Sequence, residues 1–339
     1  MNNKAREKAF QDHIIAQLAA SGWLVGESSH YDKERALYPE DLIAFVQDSQ
    51  PDGWQKFCKT YGEQPERHLL DGAVRQLKRS EGGTLWLLRN QIEDRGHRLK
   101  VASFKPDHDL NPELLARYQA NRLWVVPELV YSPHGYDGRI DLTLFLNGIP
   151  VATLELKSCF KQSLENAKKQ YREDRLPKTN GRDEPLLSFR RGALVHFAVN
   201  QFEVAMTTKL AGDSTFFLPF NQGTREGGAG NDQPLPVNGE EGIATGYLWQ
   251  EILQPDNFLR ILSRYLHLEV KVEEDELGRQ KKKETMIFPR YHQWKVVQNL
   301  LATVGQEGAG QKYLIQHSAG SGKSNSIAWL THQLASLYL

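Results

Sequence analysis

Residues 138–158, GRIDLTLFLNGIPVATLELKS, restrict what this chain can fold into more than any other stretch. Thr143, Leu144, Phe145, Val151 and Thr153 are mostly β-branched or aromatic and lie on either side of Asn147-Gly148, which predicts two strands around a turn. Side chains alternate along a strand, so Glu155 and Lys157 share one side while Leu154 and Leu156 take the other. A carboxylate and an amine at the end of an apolar strand have no packing motive, which points to chemistry. Register supplies a condition. A strict two-residue turn at Asn147-Gly148 opposes Asp141 to Leu154 and sends the two carboxylates to different faces. A shared site therefore predicts a three-residue turn, a bulge, or a break in the first strand near Asp141.

Length and composition bound the rest. A chain of 339 residues with 40% hydrophobic content suits two domains with real cores. Lys plus Arg equals Asp plus Glu at 42 each, so net charge selects no partner and only local clustering can speak. Cys58 and Cys159 are too few for a disulfide framework or a metal knuckle, which fits a reducing cytosol. No apolar run reaches the roughly 18 residues a membrane span needs, and the N-terminus is charged and helical in pattern. The expectation is a soluble, cytoplasmic protein with no membrane partner.

Apolar residues at helical spacing predict a helix over residues 5–22, with Glu7 one turn from Phe10, and further helices over 37–45, 68–77 and 111–118. Residues 83–105 predict strands. So do residues 123–130, where Pro127 argues for an edge or a break. The polar helix over 161–175 carries Lys168, Lys169, Arg172 and Arg175, either a solvated face or a phosphate-contacting one. A hairpin over 193–208 and a short run at 216–220 extend the sheet, a glycine-rich loop spans 221–242, and helical spacing returns at 249–266. The charged, apolar-poor stretch 273–283 reads as an exposed linker, giving domains at 1–270 and 286–339 with a linker at 271–285.

Asp141 and Glu155 suit a hard cation such as Mg²⁺, with Lys157 orienting a water or neutralising phosphate charge; together these form a hydrolytic nuclease centre. The alternative is that Asp141 caps a strand and Glu155 and Lys157 form a surface ion pair with nothing bound. Beyond the linker, a helix over 288–301, a strand over 312–316 (KYLIQ), HSAGSGKS and a helix from Asn325 give the context of a phosphate-binding loop. There Ser318, Ala319, Gly320, Ser321 and Gly322 form the turn, Lys323 can reach β- and γ-phosphates, and Ser324 can hold Mg²⁺. His317 stands where the first glycine usually falls. Arg290 and Gln293 in FPRYHQ could meet an adenine or simply lie on a helix surface.

These stretches, together with ALYPEDLIAFVQDSQPDGW and FFLPFNQG, resemble the motor and nuclease (R) subunit of type I restriction enzymes over nearly the whole chain. The hairpin is similar to that family's PD-D/ExK motif, with Ile140 in place of the proline, and FPRYHQ and HSAGSGKS look like its adenine-recognition and first helicase motifs. The resemblance implies an α/β fold: a RecB-like endonuclease domain with a mixed sheet flanked by helices, then the incomplete start of a RecA-like P-loop motor. It implies Asp141, Glu155 and Lys157 as catalytic positions, Glu7 as a supporting acidic metal residue, and Gln170 as the glutamine of the following helix. Asp174 stands where a tyrosine often follows that glutamine, and Tyr171 is adjacent to it.

Similar proteins are type I site-specific deoxyribonucleases that cut duplex DNA after ATP-driven translocation. Partner M and S subunits supply S-adenosylmethionine-dependent methylation and target recognition. The chain reaches Leu339 about a helix past the loop without a Walker B pair, so ATP hydrolysis is not expected from this piece alone, and its last helix should present an uncovered apolar face. The rival readings are a non-catalytic DNA-docking and assembly module, and a helicase-nuclease outside restriction.

Overall fold

The computed structural model describes residues 3–108, 110–157, 164–234, 242–274, 278, 280–318 and 320–337. Helix α1 (Asn3–Ala20) leads to β1 (Leu24–Val25), followed by α2 (Pro39–Ser49), α3 (Pro51–Tyr61), α4 (Pro65–Lys78) and α5 (Thr84–Arg89). The small pair β2 (Ile92–Asp94) and β3 (His97–Leu99) and helix α6 (Pro112–Gln119) precede β4 (Leu123–Val130), β5 (Arg139–Leu146) and β6 (Ile149–Lys157). Then come α7 (Leu164–Glu173), β7 (Lys178–Thr179), β8 (Arg182–Asp183), β9 (Val195–Asn200), β10 (Val204–Thr207) and β11 (Leu218–Pro219). Helix α8 (Pro255–Arg260) sits between two π-helical turns and leads to β12 (His267–Glu274), β13 (Gln280–Ile287), α9 (Tyr291–Glu307) and α10 (Lys323–Leu334).

Prolines open α2, α3, α4 and α6, where a missing N–H costs nothing and φ is already helical. Asn111 adds a side-chain cap to α6, accepting from the Glu113 and Leu114 amides. The main sheet runs β1-β4-β5-β6-β9-β10-β11, antiparallel except at β1/β4 and β6/β9, so the β5/β6 hairpin lies at its centre. Ile14, Leu18, Phe45, Leu144, Leu154 and Trp249 belong to the core on one face. Tyr31, Ile140, Phe145, Ala167, Tyr171 and Ala198 belong to the core on the other. Burial on both faces explains why β6 reads almost continuously apolar.

Several local expectations are corrected. TLWLLR is helix α5 rather than a strand: the Thr84 amide and hydroxyl anchor its start on the carbonyls of Arg190, Arg191 and Gly192, and Leu85, Leu87 and Leu88 are all buried. Short apolar runs do not declare their period, and tertiary contacts decide it. Next to it, β2 and β3 pair only with each other. Pro127, by contrast, meets its expectation of an edge or a break: it lies past the two residues of β4 that β1 covers, so its missing N–H meets no neighbour there, and the β4/β5 ladder is interrupted at the next residue, Glu128. KYLIQ forms no strand. Tyr313, Leu314 and Ile315 are exposed, and among the described residues no strand lies alongside to satisfy the backbone groups of an extended segment.

The charged stretch 273–283 is exposed where described but is no linker there: Glu273 and Glu274 pair with Lys281 and Gln280 in the β12/β13 hairpin, whose strands also take in most of the expected linker 271–285. The apolar face expected to lie uncovered on the last helix is largely covered: Trp329 is buried, its indole donating to Tyr265 O at 2.8 Å, and Leu330 packs against the core, while Ile327 is exposed. The expected RecA-like start thus consists here of α9, an irregular loop and α10. Among the described residues no helix is long and apolar enough to cross a membrane.

Candidate active site

The β5/β6 hairpin turns at Asn147 and Gly148, both with positive φ, and Leu146 pairs with Ile149 and Phe145 with Pro150. The register then shifts. Leu144 pairs with Ala152, leaving Val151 as the extra residue of a bulge, and the new register runs through Thr143↔Thr153 and Leu142↔Leu154. Its continuation sets Asp141 opposite Glu155. One inserted residue therefore brings both carboxylates to one face despite the two-residue turn. Ladder pairing between β5 and β6 ends at Leu142, and beyond it the Asp141 carboxylate takes the Leu156 N–H at 2.6 Å. Asp141 does cap a strand, as the alternative reading had it, but the pair Glu155 and Lys157 does not form there.

Glu155 is instead fully buried, with Oε1 accepting from Arg175 Nε at 2.6 Å, while Oε2 has no hydrogen-bond partner among the described residues. Arg175 also donates to Arg139 O. Lys157 Nζ donates to Glu7 Oε1 at 3.2 Å and to Leu156 O at 2.9 Å. Glu7 comes from α1, and one turn on, at Gln11, the same helix reaches in again. The Gln11 amide donates to Asp141 O at 2.7 Å and to Glu128 Oε1 at 3.0 Å. Glu128 has φ +50° and interrupts the β4/β5 ladder where Asp141 would pair.

Burial raises the Asp141 carboxyl to about 6; the Leu156 amide and Lys157 pull against this, and Glu7 and Glu128 add to it. Burial, then the charge of Asp141, lifts Glu155 well above its ordinary range against the pull of Arg175 and Lys157. Burial lowers the Arg175 guanidinium, and the contact with Glu155 more than restores it. Two carboxylates whose ionisation is opposed, with an unpartnered buried oxygen between charged neighbours, fit a divalent cation. Among the described residues no set of three acidic, His or Cys side chains is grouped to hold one. Mg²⁺ keeps several waters and is commonly held by one or two carboxylates beside substrate phosphates, so Asp141 and Glu155 are the side chains that would hold such an ion here.

Gln170 lies on α7 with its side chain partly exposed and without a hydrogen bond among the described residues. Its neighbour Tyr171 is fully buried and meets the Thr153 hydroxyl at 2.8 Å, with His196 Nδ1 on the same hydroxyl at 2.7 Å. Lys168, Lys169 and Arg172 pair with Glu165 or Glu173 of their own helix, while Arg175 turns inward. Ser158, the last residue of the hairpin stretch, lies outside the described residues.

At the second centre, Gly320 and Gly322 have positive φ, and Gly322 caps α10. A Cβ on Gly322 would fall 2.3 Å from the Gln293 amide nitrogen, which donates to Gly322 O at 2.9 Å and Ser321 O at 3.2 Å. Gln293 Oε1 accepts from the Arg290 amide, and the His292 ring also meets Ser321 O. Gln293 thus braces the loop backbone, a role the sequence did not suggest. Lys323 Nζ donates to His317 O at 3.2 Å, Ser318 O accepts from the Ser321 amide, and Ser324 is exposed. Ala319 lies outside the described residues.

Sequence reading missed Arg175, Gln11 and Glu128. Gln11 was within reach, because a residue four along from Glu7 shares its helix face. Arg175 was hidden in a basic run, and nothing local marks Glu128.

The family model described as type I restriction enzyme R protein N terminus matches residues 6–215, more than half of the chain. No curated protein matches it.

Proposed function

This chain belongs to the type I restriction enzyme R protein N-terminal family, and on that premise we propose that it cuts duplex DNA by Mg²⁺-dependent hydrolysis at Asp141, Glu155 and Lys157. Family membership implies a DNA target and a restriction complex. The observation that carries the reading is the bulged register of β5/β6, which sets two burial-strained carboxylates on one face beside a lysine.

Asp141 and Glu155 Oε2 would hold the ion, which supplies charge neutralisation on the scissile phosphate and acidifies an attacking water. Lys157 places its ammonium beside them, fixed by Glu7 and by Leu156 O, where it can meet a phosphate oxygen. Arg175 keeps Oε1 of Glu155 engaged, so Oε2 is the oxygen left to bind. In this reading ATP occupies the loop of Ser318, Gly320, Ser321, Gly322, Lys323 and Ser324, and in the complete enzyme it drives translocation. Partner methyltransferase and specificity subunits then supply target recognition.

The test compares Asp141→Ala and Lys157→Ala in the assembled restriction complex on plasmid DNA with Mg²⁺ and ATP. Both variants should still assemble and bind DNA but leave the plasmid uncut. Cutting at the wild-type rate in both would remove this centre and leave the domain a docking and assembly module.

A further inference from the structure

A cavity of about 420 Å³ opens at the β1 edge of the main sheet, and none of the residues lining it belongs to the cutting centre or to the glycine loop. Its wall is aromatic. Tyr38 stacks with His30 and with Trp124, at centroid distances of 6.0 and 5.8 Å. The Tyr38 hydroxyl fixes this wall to the chain leaving β1, donating to Glu27 O at 2.7 Å and accepting the Glu27 amide at 3.0 Å. The rim is acidic: Glu27 and Glu40 are exposed, and Asp41, at the start of α2, lines the cavity with them.

The one guanidinium in the lining is already engaged. Arg122 holds Asp48 Oδ2 through Nη2 at 3.0 Å and approaches Asp41 Oδ1 only at 3.6 Å. His30 meets Glu40 at 3.3 Å, yet the Glu40 side chain stays 79% exposed. Three carboxylates against one guanidinium leave the cavity negative, and a concave low-dielectric wall concentrates that field. Burial raises the Asp41 carboxyl to about 6 against the pull of Arg122, so a further cation at the rim would favour its ionised form. Carboxylates beside aromatic rings fit a flat organic cation, above all a guanidinium. The same field repels phosphate, so the cavity is no place for a DNA backbone.

The surroundings decide what carries the cation. Leu24 and Val25 of β1 are exposed, and β1 ends the sheet, so its outer edge is unpaired among the described residues. An extended polypeptide can lay its backbone and apolar side chains along such an edge while one basic side chain enters the neighbouring pocket. A free polyamine has the charge but nothing to cover Leu24 and Val25.

We propose that the β1 edge docks an extended, arginine-bearing segment of a protein partner, with the guanidinium in the cavity, met by Glu27 and Glu40 at its rim and by the aromatic wall. This surface goes beyond the cutting reaction and does not depend on it.

The experiment titrates a blocked valine-arginine-valine peptide into the 339-residue chain and follows the Trp124 indole N–H by NMR, identified by its loss in Trp124→Phe. The peptide should shift this resonance saturably, and the same peptide with uncharged citrulline in place of arginine should bind about tenfold more weakly, the scale of a lost cation–π contact and rim ion pair. Glu27→Gln combined with Glu40→Gln should remove most of that difference. Blocked arginine alone and spermidine, which carry charge without an extended backbone, should bind more weakly than the peptide. Equal binding of the two peptides, or no saturable shift with either, overturns the proposal. Spermidine or blocked arginine binding as tightly as the peptide would show a site for small cations and remove the protein partner. Both glutamates are exposed, so an unchanged unfolding midpoint serves as the control on folding; should the midpoint fall, the citrulline comparison on the wild type decides alone.

Discussion

Arg175 Nε stands 2.6 Å from Glu155 Oε1 in a pair whose side chains are 6% and 0% exposed. Removing one partner of a buried pair leaves the other charge without compensation, so Arg175→Ala should cost about 3–5 kcal/mol in urea unfolding. The double variant Glu155→Gln with Arg175→Met should lose less than the two single changes added together, because the pair is removed as a unit. Additive losses, or a cost for Arg175→Ala below about 1 kcal/mol, would mean that water reaches the pair.

Asp141 gives a pH signature. Its folded-state value, about 6, lies above the ordinary 3.8, so between these limits the folded protein holds a proton that the unfolded chain has released. Stability therefore falls as pH rises from about 4 to 6 and stays lower above that window. Asp141→Asn should raise stability at neutral pH by about 1–2 kcal/mol, allowing for partial exposure, because an amide still accepts the Leu156 N–H without a charge. It should also shallow the slope of stability below pH 6 and abolish cutting. A variant that is less stable at neutral pH would contradict the burial cause.

Gln11 is a positioning residue for Asp141. It is 3% exposed, and its amide holds Asp141 O and Glu128 Oε1 at once. Gln11→Ala should cost about 1–3 kcal/mol, the usual loss when a buried acceptor goes unpaired. A purely structural role predicts that loss alone. A positioning role also predicts slower cutting in the assembled complex at unchanged DNA affinity, because only the placement of the β5 end is disturbed.

Such contacts mark how far the sequence can be read. Asp141, Glu155 and Lys157 could be picked out because polar groups ending an apolar strand contradict its packing pattern, and the parity of the residue numbers demanded an irregularity near them. The kind of irregularity was not legible: Val151 is an ordinary β-former, and nothing in its local sequence marks it as the inserted residue. Arg175 could not be told from its helix's other basic residues, because turning inward depends on a carboxylate twenty residues away in sequence. KYLIQ has strand composition but no neighbouring strand among the described residues, so its propensity goes unused.

The turn is the fixed end of that hairpin, and Gly148 tests whether it sets the register. Asn147, fully buried, donates through Nδ2 to Val101 O and Asn121 Oδ1, while its Oδ1 accepts the Arg122 amide. The Tyr38 amide donates to Gly148 O at 2.8 Å. Gly148 has φ +76°, and a Cβ there would lie 2.2 Å from Tyr38 O and 3.0 Å from the Leu42 nitrogen, both backbone atoms of the α2 start that cannot swing aside. Gly148→Ala therefore adds a steric conflict to the left-handed strain, and should cost about 2–4 kcal/mol. Gly181 provides the comparison: its φ is +75°, but nothing lies within 4 Å of its Cβ position. Gly181→Ala should show the conformational cost alone, about 1–2 kcal/mol. If the turn sets the register, Gly148→Ala should also reduce cutting in the assembled complex under conditions where the variant remains folded, and Gly181→Ala should not. Equal stability losses in the two variants would show that the α2 contact does not hold the turn.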